Sequence, residues 1–235
     1  MQKIEKFCFF IRCLIPSLYF NFKYLPFQQA VKLPILVHKP HFYRLRGRIV
    51  IDAARIYTGM IRLGTFDTAT YPNNGIYLKL EGLLVFKGKC RIGNDSHIIC
   101  GKHGKIVFGE AFKIGSGIKM VSHCGITFGK ETRIGWGVII IDTNFHPLYD
   151  IEKKKFKKAF GSINIGDNNW FGLQCVVMPG VTTPEHCIFG ARTVVTRNGN
   201  YESFCVHGGS PVRVLSRNVM RIIGQDQIKD YSIPQ

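Results

Sequence analysis

Apolar residues followed by glycine recur along the middle of the chain and set its pattern. Many of these pairs lie six residues apart, and equivalent pairs return after 18 or 20 residues. A strand of about four or five residues followed by a turn fits a period of about six. The pairs are Leu63-Gly64, Ile92-Gly93, Phe108-Gly109, Ile114-Gly115, Phe128-Gly129, Ile134-Gly135, Ile165-Gly166, Phe171-Gly172 and Phe189-Gly190.

This period predicts a triangular parallel β-helix, because three such faces make one coil. The apolar residue of each hexad should point inward and stack on its equivalent in the next coil. Glycine would follow it because the corner needs unusual backbone angles or a close approach between coils. A β-sandwich with glycine-rich turns is the alternative, but it gives no reason for fixed periods. The period leaves the handedness open, and the general rule for crossover connections favours a right-handed helix.

The repeat breaks once, after Ile140, and resumes at Ile163. The apolar strand there runs into the polar, basic and non-periodic stretch "DTNFHPLYDIEKKKFKKAFGS". Such a stretch predicts a loop over residues 142–162 that is extruded from a corner of the coil. A break in a solenoid often marks its working face.

His146 is the candidate catalytic residue of this loop. It lies just past a strand, and Pro147 biases its backbone to an extended conformation that would help to aim the ring. Imidazole, with a reference pKa near ~6.5, can take a proton at neutral pH. Asp142 or Asn144 could orient the ring, and a backbone carbonyl is the alternative. The competing interpretation is an ordinary histidine in a surface loop.

The two ends of the chain lack the repeat. Residues 1–45 combine a predicted helix, "KIEKFCFFIRCLI", with a proline-rich extended stretch, and residues 1–50 carry nine Lys and Arg against one acid. The segment is predicted to cap the open end of the β-helix, to lie on an anionic membrane, or both. The β-helix is expected over residues 46–210. The tail, residues 211–235, contains "RVLSRNVMRII", which predicts a short helix.

Composition limits the partners and the compartment. The 235 residues suit one domain with an appendage, and the net charge of +17 indicates an anionic partner. No nucleic-acid-binding module is recognisable, so we expect no nucleic acid as partner.

Arg12 and Pro16 interrupt the first apolar run before the ~18 residues that a spanning helix needs. With no signal peptide seen, we expect a cytoplasmic protein, at most peripheral to the membrane. The eight cysteines form no C-x-x-C motif and are expected to be small buried side chains.

Three stretches carry a family likeness: "IGWGVIIIDTNFHPL", "IGDNNWFGLQCVVMPGVTTPEHCIFGARTVVTR" and "VHGGSPVRVL". Through them the chain resembles the hexapeptide-repeat acyltransferases, in particular the branch that acetylates sugars and surface polysaccharides. The lead-in "YFNFKYLPFQQAVKLPILV" is also similar to that of some capsule and exopolysaccharide members. Departures from the family pattern are Phe171 for the usual Ile, Ser210 for Asn, Asn144 for a frequent Asp, and "RNGNYESF" in place of an Ile-Pro-Pro turn.

The resemblance implies a left-handed helix, a homotrimer with active sites between subunits, acetyl-coenzyme A as donor and a sugar hydroxyl as acceptor. A backbone N–H near Gly172 would stabilise the oxyanion. Ser122 and His123 would contact the acceptor, and Trp136 could stack on a sugar ring. The coenzyme A positions implied are Ala191 and Thr196 beside pantetheine and Arg197, Arg213 and Arg217 for the phosphates.

Three other functions stay open at this point. The first is N-acylation of an amino sugar, and the second is a non-catalytic β-helix scaffold. The third is a zinc site as in β-helical carbonic anhydrases, which His97, His103 and His123 bring to mind. Their spacings do not follow the coils and no acidic partner is evident, so we expect no metal.

Overall fold

The computed structural model describes residues 2–224 and, from residue 13 onward, their side chains. The chain begins with helix α1, Gln2–Tyr24, which continues through Pro16, and a short helix α2, Phe27–Ala30. No helix in the described part of the chain combines the length and apolarity needed to cross a membrane.

The predicted parallel β-helix is confirmed, with three faces of stacked strands. The first face contains β1 Ile35–Val37, β4 Ile61–Thr65, β7 Cys90–Gly93, β10 Phe112–Ile114, β13 Arg133–Ile134, β18 Trp170–Phe171, β21 Cys187–Phe189, β23 Cys205–Gly208 and β24 Arg213–Arg217. The second contains β2 Pro40–Leu45, β5 Ile76–Leu80, β8 Ser96–Cys100, β11 Lys119–Ser122, β14 Ile139–Ile141, β19 Val176–Val177 and β22 Val194–Val195. The third contains β3 Arg48–Ile51, β6 Leu83–Phe86, β9 Lys105–Phe108, β12 Ile126–Phe128, β17 Ile163–Ile165 and β20 Thr182–Thr183.

The inward residues of the hexads form columns in the core. On the first face Ile92, Ile114, Ile134, Phe171 and Phe189 follow one another in register, and all are buried. The last two rings stack with centroids 4.6 Å apart. Such columns bury nearly all of the apolar side chains that alternate along short strands, which is the main stabilising contribution to this fold.

The glycines of most pairs allow coils to approach closely, although the nearest atom to a Cβ on Gly190 would be 3.6 Å away. A Cβ atom on Gly109 would lie 2.2 Å from the carbonyl oxygen of Gly129 in the next coil. Gly64 itself has a positive φ of 77°, whereas after Gly109 and Gly129 the positive φ falls two residues further along, at Ala111 and Glu131 with 55° and 56°. Of the two reasons considered for these glycines, close approach is therefore the one that applies at Gly109.

The two ends of the helix differ from expectation. The strands begin upstream of residue 46, since β1 and β2 already pair with the next coil. The short C-terminal helix is wrong for residues 213–217, which form β24 antiparallel to β23. The open edge of the last coil offers unpaired N–H and C=O groups, and pairing with them outweighs a weak helical pattern. Residues 225–235 of the predicted tail lie outside the described residues.

The cysteines whose side chains are described are free thiols, and most are buried. Burial raises the pKa of Cys100 to about 11 and that of Cys187 to about 12. These thiols therefore act as small core side chains and stay protonated at neutral pH.

Candidate active site

The loop that interrupts the repeat is an antiparallel hairpin at the corner between the second and third faces. Its base is closed by Asn144 N–H donating to the Ala159 carbonyl at 2.9 Å, and by Gly161 N–H donating to the Asp142 carbonyl at 2.9 Å. Its tip is formed by β15, Tyr149–Asp150, and β16, Lys155–Phe156. The hairpin therefore leaves the coil and returns to it at one fixed point.

His146 sits on a tight three-residue turn at the base of this hairpin. Its backbone N–H donates to the carbonyl of Asn144 at 2.6 Å, and Phe145 between them has a φ of 59°. The Phe145 N–H donates to the hydroxyl of the buried Thr143 at 3.0 Å. Positive φ at a bulky aromatic residue is unfavourable and persists only where surrounding contacts impose it. The turn thus fixes the backbone from which the exposed His146 ring projects.

Asp142 lies beneath this turn and does not orient His146. Its fully buried carboxylate accepts hydrogen bonds from the Ser122 hydroxyl at 2.7 Å and from the backbone N–H groups of His123, Cys124 and Gly125 at 2.8, 2.9 and 2.7 Å. These four donors occupy the carboxylate oxygens. Asp142 therefore ties the end of β14 to the turn of the preceding coil, and the expectation that it holds the imidazole is not met.

The His146 ring borders a cleft of about 260 Å³. Three cationic side chains contribute to its walls: Lys157 and Lys158 from the hairpin, and Arg197 from a later coil. The cleft is lined by Asn144, His146, Leu148, Lys157, Lys158, Ala159, Phe160, Met178, Pro179, Thr196, Arg197 and Asn198. A candidate base thus faces a positively charged cleft, an arrangement suited to an anionic ligand.

Several of the predicted site residues come together here. Asn144, Thr196 and Arg197 line the cleft beside His146. His123 lies next to it, with its ring edge-on to Phe145 at a centroid distance of 5.7 Å. The Thr196 N–H is not free to donate to a ligand, because it already donates to the Tyr201 hydroxyl at 2.8 Å.

Other predicted site residues form hydrogen bonds or ion pairs within the chain that leave them unavailable to a substrate. The Ser122 hydroxyl is buried against Asp142, so it is not available to an acceptor sugar. The Gly172 N–H donates to the Phe189 carbonyl at 2.7 Å as part of the stack, so it does not offer an oxyanion donor. Arg217 pairs with Glu202 through two contacts of 3.1 and 3.2 Å. These groups are held by the architecture of the coils, which side-chain chemistry alone does not reveal.

Three more of the predicted residues lie away from the cleft of their own chain. Ala191 follows β21 on the first face, and Arg213 begins the terminal strand β24. Trp136 lies between the first and second faces, 41% exposed, and shares a different cleft with Trp170. None of the three lines the His146 cleft.

The sequence reasoning missed Met178, Pro179 and Asn198 as walls of the cleft. The spacing of the apolar residues between coils could have predicted their position. Val177 stacks on Ile140 and Val195 on Val177, so the residues that follow each of these share one corner. The histidines considered for zinc do not gather, because the described residues contain no group of three or more metal-binding side chains. His97 instead stacks on Tyr77 at 4.2 Å.

The chain is similar to proteins that acetylate sugar polymers. It is 29% identical over 124 residues to a polysialic acid O-acetyltransferase of Escherichia coli O1:K1 / APEC, covering 52% of this chain and 40% of that protein. It is 30% identical over 149 residues to an uncharacterized 24.8 kDa protein in the cps region of Klebsiella pneumoniae, covering 63% and 64%. The chain thus spans less than two thirds of the length of either relative. No family profile matches the chain.

The fold is shared with the crystal structure of the polySia-specific acetyltransferase NeuO. The two superpose with a TM-score of 0.53 and 21% identity over 82% of this chain and 76% of NeuO. The expected resemblance to the hexapeptide-repeat sugar O-acetyltransferases is confirmed by the polysialic acid O-acetyltransferase in sequence and by NeuO in fold, and the fold is the left-handed parallel β-helix. The right-handed alternative from the crossover rule is therefore wrong.

Proposed function

We propose that this protein transfers an acetyl group from acetyl-coenzyme A to a sugar hydroxyl during the synthesis of a surface polysaccharide, with His146 as general base. The observation that carries the proposal is the strained turn that aims His146 into a cationic cleft where the repeat is broken. The activity printed for the Escherichia coli relative supports the same reaction class.

The chemistry needs one proton to move twice. A sugar hydroxyl is a poor nucleophile at neutral pH, so the imidazole of His146 takes its proton as the oxygen attacks the thioester carbon. The tetrahedral intermediate then collapses, the C–S bond breaks, and the imidazolium returns the proton to the leaving thiolate. The products are the acetyl ester of the sugar and free coenzyme A. A base in this position typically contributes about 10² to 10⁴ in rate.

The cleft suits the phosphate-bearing donor in its charge but holds only a part of it. Lys157, Lys158 and Arg197 provide cations for phosphate groups. A volume of about 260 Å³ lies below the range of about 300–1,000 Å³ that is usual for sites of drug-sized ligands. The remainder of the donor then needs a surface outside this cleft.

A homotrimer with shared active sites would supply that surface. The small cleft of the single chain supports this assembly, as does the position of Trp136 in a different cleft from that of His146. Sedimentation of the purified protein tests it. A stable monomer at the concentrations where transfer is measured would contradict a shared site.

Peripheral contact with an anionic membrane is supported by α1. Ile15, Leu18, Tyr19 and Phe22 recur at helical spacing on one side of α1 and are 80%, 39%, 53% and 49% exposed. The exposed Lys23 places its ammonium 5.8 Å from the Tyr19 ring, and Lys32, after α2, is also exposed. An apolar helix face with adjacent cations is the pattern of a helix that lies in the plane of a membrane surface.

Replacement of His146 by alanine tests the reaction. We expect transfer from acetyl-coenzyme A to fall by about 10² or more, while binding of coenzyme A and the thermal melt persist. His103→Ala is the matched control, because His103 is also exposed but lies outside the cleft. Activity of His146→Ala within about tenfold of the parent protein would remove His146 from the role of base.

The product of the same assay separates the other functions. An alkali-stable amide on an amino sugar would indicate N-acylation, and an alkali-labile ester indicates O-acetylation. Absence of any coenzyme A binding and of acetyl transfer in the parent protein would favour the non-catalytic scaffold.

A further inference from the structure

A column of basic side chains runs up the outer surface of the first face. Arg62, Arg91, Lys113 and Arg133 are register partners on the four successive strands β4, β7, β10 and β13. Each alternates with buried neighbours and points away from the core. Neighbouring strands lie about 4.8 Å apart, so the four cations follow the helix axis over about 14 Å. We call these four residues the basic ladder.

The ladder side chains are held in place by backbone carbonyls. Arg62 Nε donates to the Gly59 carbonyl at 3.1 Å, and Arg91 donates to the Phe66 carbonyl at 3.3 Å. Arg133 donates to the carbonyl of Ala111 in the preceding coil. Arg133 also donates to the Thr132 carbonyl and to Glu131. Because one guanidinium carries five donors, these bonds do not use all the donors of any of the three arginines.

Positive charge on the ladder exceeds the negative charge that faces it. Glu131 pairs with Arg133 at 2.7 Å, and Asp67 acts electrostatically on Arg91. Burial lowers the pKa of Arg91, and the neighbouring Arg62 lowers it further. Stacked like charges repel one another, so an anion that spans them is attracted by several groups at once.

Two clefts share lining residues along the ladder, and we call their combined surface the groove. A cleft of about 540 Å³ contains Arg62, Arg91, Lys113 and Arg133, and one of about 530 Å³ contains Lys113 and Arg133 again. The second cleft is also lined by Trp136 and Trp170, which are 41% and 43% exposed. The groove therefore leads from a row of cations to two exposed indole rings.

We propose that the basic ladder binds an acidic polysaccharide chain, laid along the helix axis, and presents it as acceptor to the His146 cleft of a neighbouring subunit, since His146 of the same chain lies at the corner opposite the first face. This rests on the proposed function, which requires a sugar acceptor. A chain with a carboxylate on each sugar unit presents a row of charges that matches a row of cations. The two indole rings at the end of the groove can pack on the apolar faces of sugar rings.

Single-stranded nucleic acid is the competing polyanion. Platforms for it interleave aromatic rings with cations, because each base needs a stacking partner. The ladder has four cations in succession, and its column reaches an aromatic ring only at Trp170. This order favours a ligand whose charges lie on the sugars themselves.

Binding of fluorescently labelled oligogalacturonate, measured by polarisation, tests the ladder without using activity. We expect the double variant Arg62→Gln with Arg91→Gln to bind it about tenfold more weakly than the parent protein. Lys153→Gln with Lys155→Gln is the matched control, because it removes the same charge from the exposed hairpin. The control should bind as the parent does. Binding should also weaken as salt rises.

The outcomes separate this proposal from the reaction itself. His146→Ala should retain oligogalacturonate binding while transfer is lost. Equal weakening by the control pair, or equal binding of neutral maltooligosaccharide, would overturn the ladder as an acidic-glycan site. Tighter binding of single-stranded DNA than of oligogalacturonate would overturn it in favour of nucleic acid. If the double variant has a lower melting temperature than the parent protein, the charge-conserving variant Arg62→Lys with Arg91→Lys must restore both the melting temperature and the binding. Binding that does not return in this variant would also overturn the proposal.

Discussion

At the scale of single residues, the buried carboxylate of Asp142 holds the candidate site together. Its four donors come from the turn of the preceding coil, while its own backbone starts the hairpin that carries His146. We call this contact the Asp142 clamp. Its two side chains occupy equivalent positions in successive coils, since Ser122 follows Val121 and Asp142 follows Ile141, and Val121 and Ile141 are register partners. A charged acceptor for several backbone N–H groups is a strong interaction in a buried setting.

We predict that Asp142→Asn lowers the free energy of unfolding by about 2–3 kcal/mol, because the amide turns an N–H group toward N–H donors that need an acceptor. Ser122→Ala removes a single donor and should cost only about 1 kcal/mol. Urea unfolding of both variants measures the difference. If Asp142→Asn is as stable as the parent protein, the clamp contributes no stability.

Phe145 allows a second test at this scale. Glycine adopts positive φ without strain, so Phe145→Gly should keep most of the transfer activity. Proline fixes φ near about −65°, which is incompatible with the φ of 59° at this position. Phe145→Pro should therefore misplace His146 and lose about 10² in transfer rate, as removal of the base would. Thermal melts should show both variants folded, and similar rates for the two would contradict the role of the turn.

At the scale of elements, the spacing between coils depends on glycines that face a neighbouring backbone. We predict that Gly109→Ala destabilises the protein by about 1–3 kcal/mol, because its Cβ would lie 2.2 Å from the Gly129 carbonyl oxygen. Gly190→Ala is the control, since the nearest atom to its Cβ would be 3.6 Å away. Guanidinium unfolding should show little change for the control. Equal loss in both variants would mean that lost glycine flexibility, not coil contact, is the cause.

The sequence predicted those elements whose stability comes from the repeat itself. Period-six positions such as Phe108 and Phe128 gave the core columns, because an inward side chain in one coil requires one in the next. The sequence did not predict β24, because this short stretch forms a strand only where the last coil offers an open edge. The break in the repeat did predict His146 as the candidate base. The sequence could not assign Asp142 or Gly172, because the hydrogen-bond partners of both come from neighbouring coils.

At the scale of the whole molecule, α1 covers the first coil with its inner side. Asn21 donates to the Ile35 carbonyl at 2.7 Å and accepts from the Ile35 N–H at 3.1 Å, and the Val37 N–H donates to the Ser17 hydroxyl at 2.9 Å. Phe20 is buried beside them. These bonds satisfy the open edge of β1 with side chains, which is the task of a solenoid cap. The cap and the exposed apolar side are thus opposite sides of one helix.

Because α1 has two sides, the membrane proposal can be tested without removing the cap. We predict that Ile15→Ser combined with Phe22→Ser reduces flotation of the full chain with anionic liposomes, since both side chains are exposed and add little to the folded core. The melting temperature of this variant should change little. Phe20→Ser is the control for the inner side: it should lower the melt sharply, because Phe20 is fully buried.

Charge supplies the second part of the membrane test. Each Lys or Arg near an anionic surface contributes about 1 kcal/mol, and salt screens this contribution. Flotation of the parent protein should therefore fall as salt rises and be absent with neutral liposomes. Absence of flotation at low salt would end the membrane proposal. A smaller assembly than that of the parent protein in the Ile15→Ser and Phe22→Ser variant would instead assign the exposed side of α1 to a contact with a second copy of the chain.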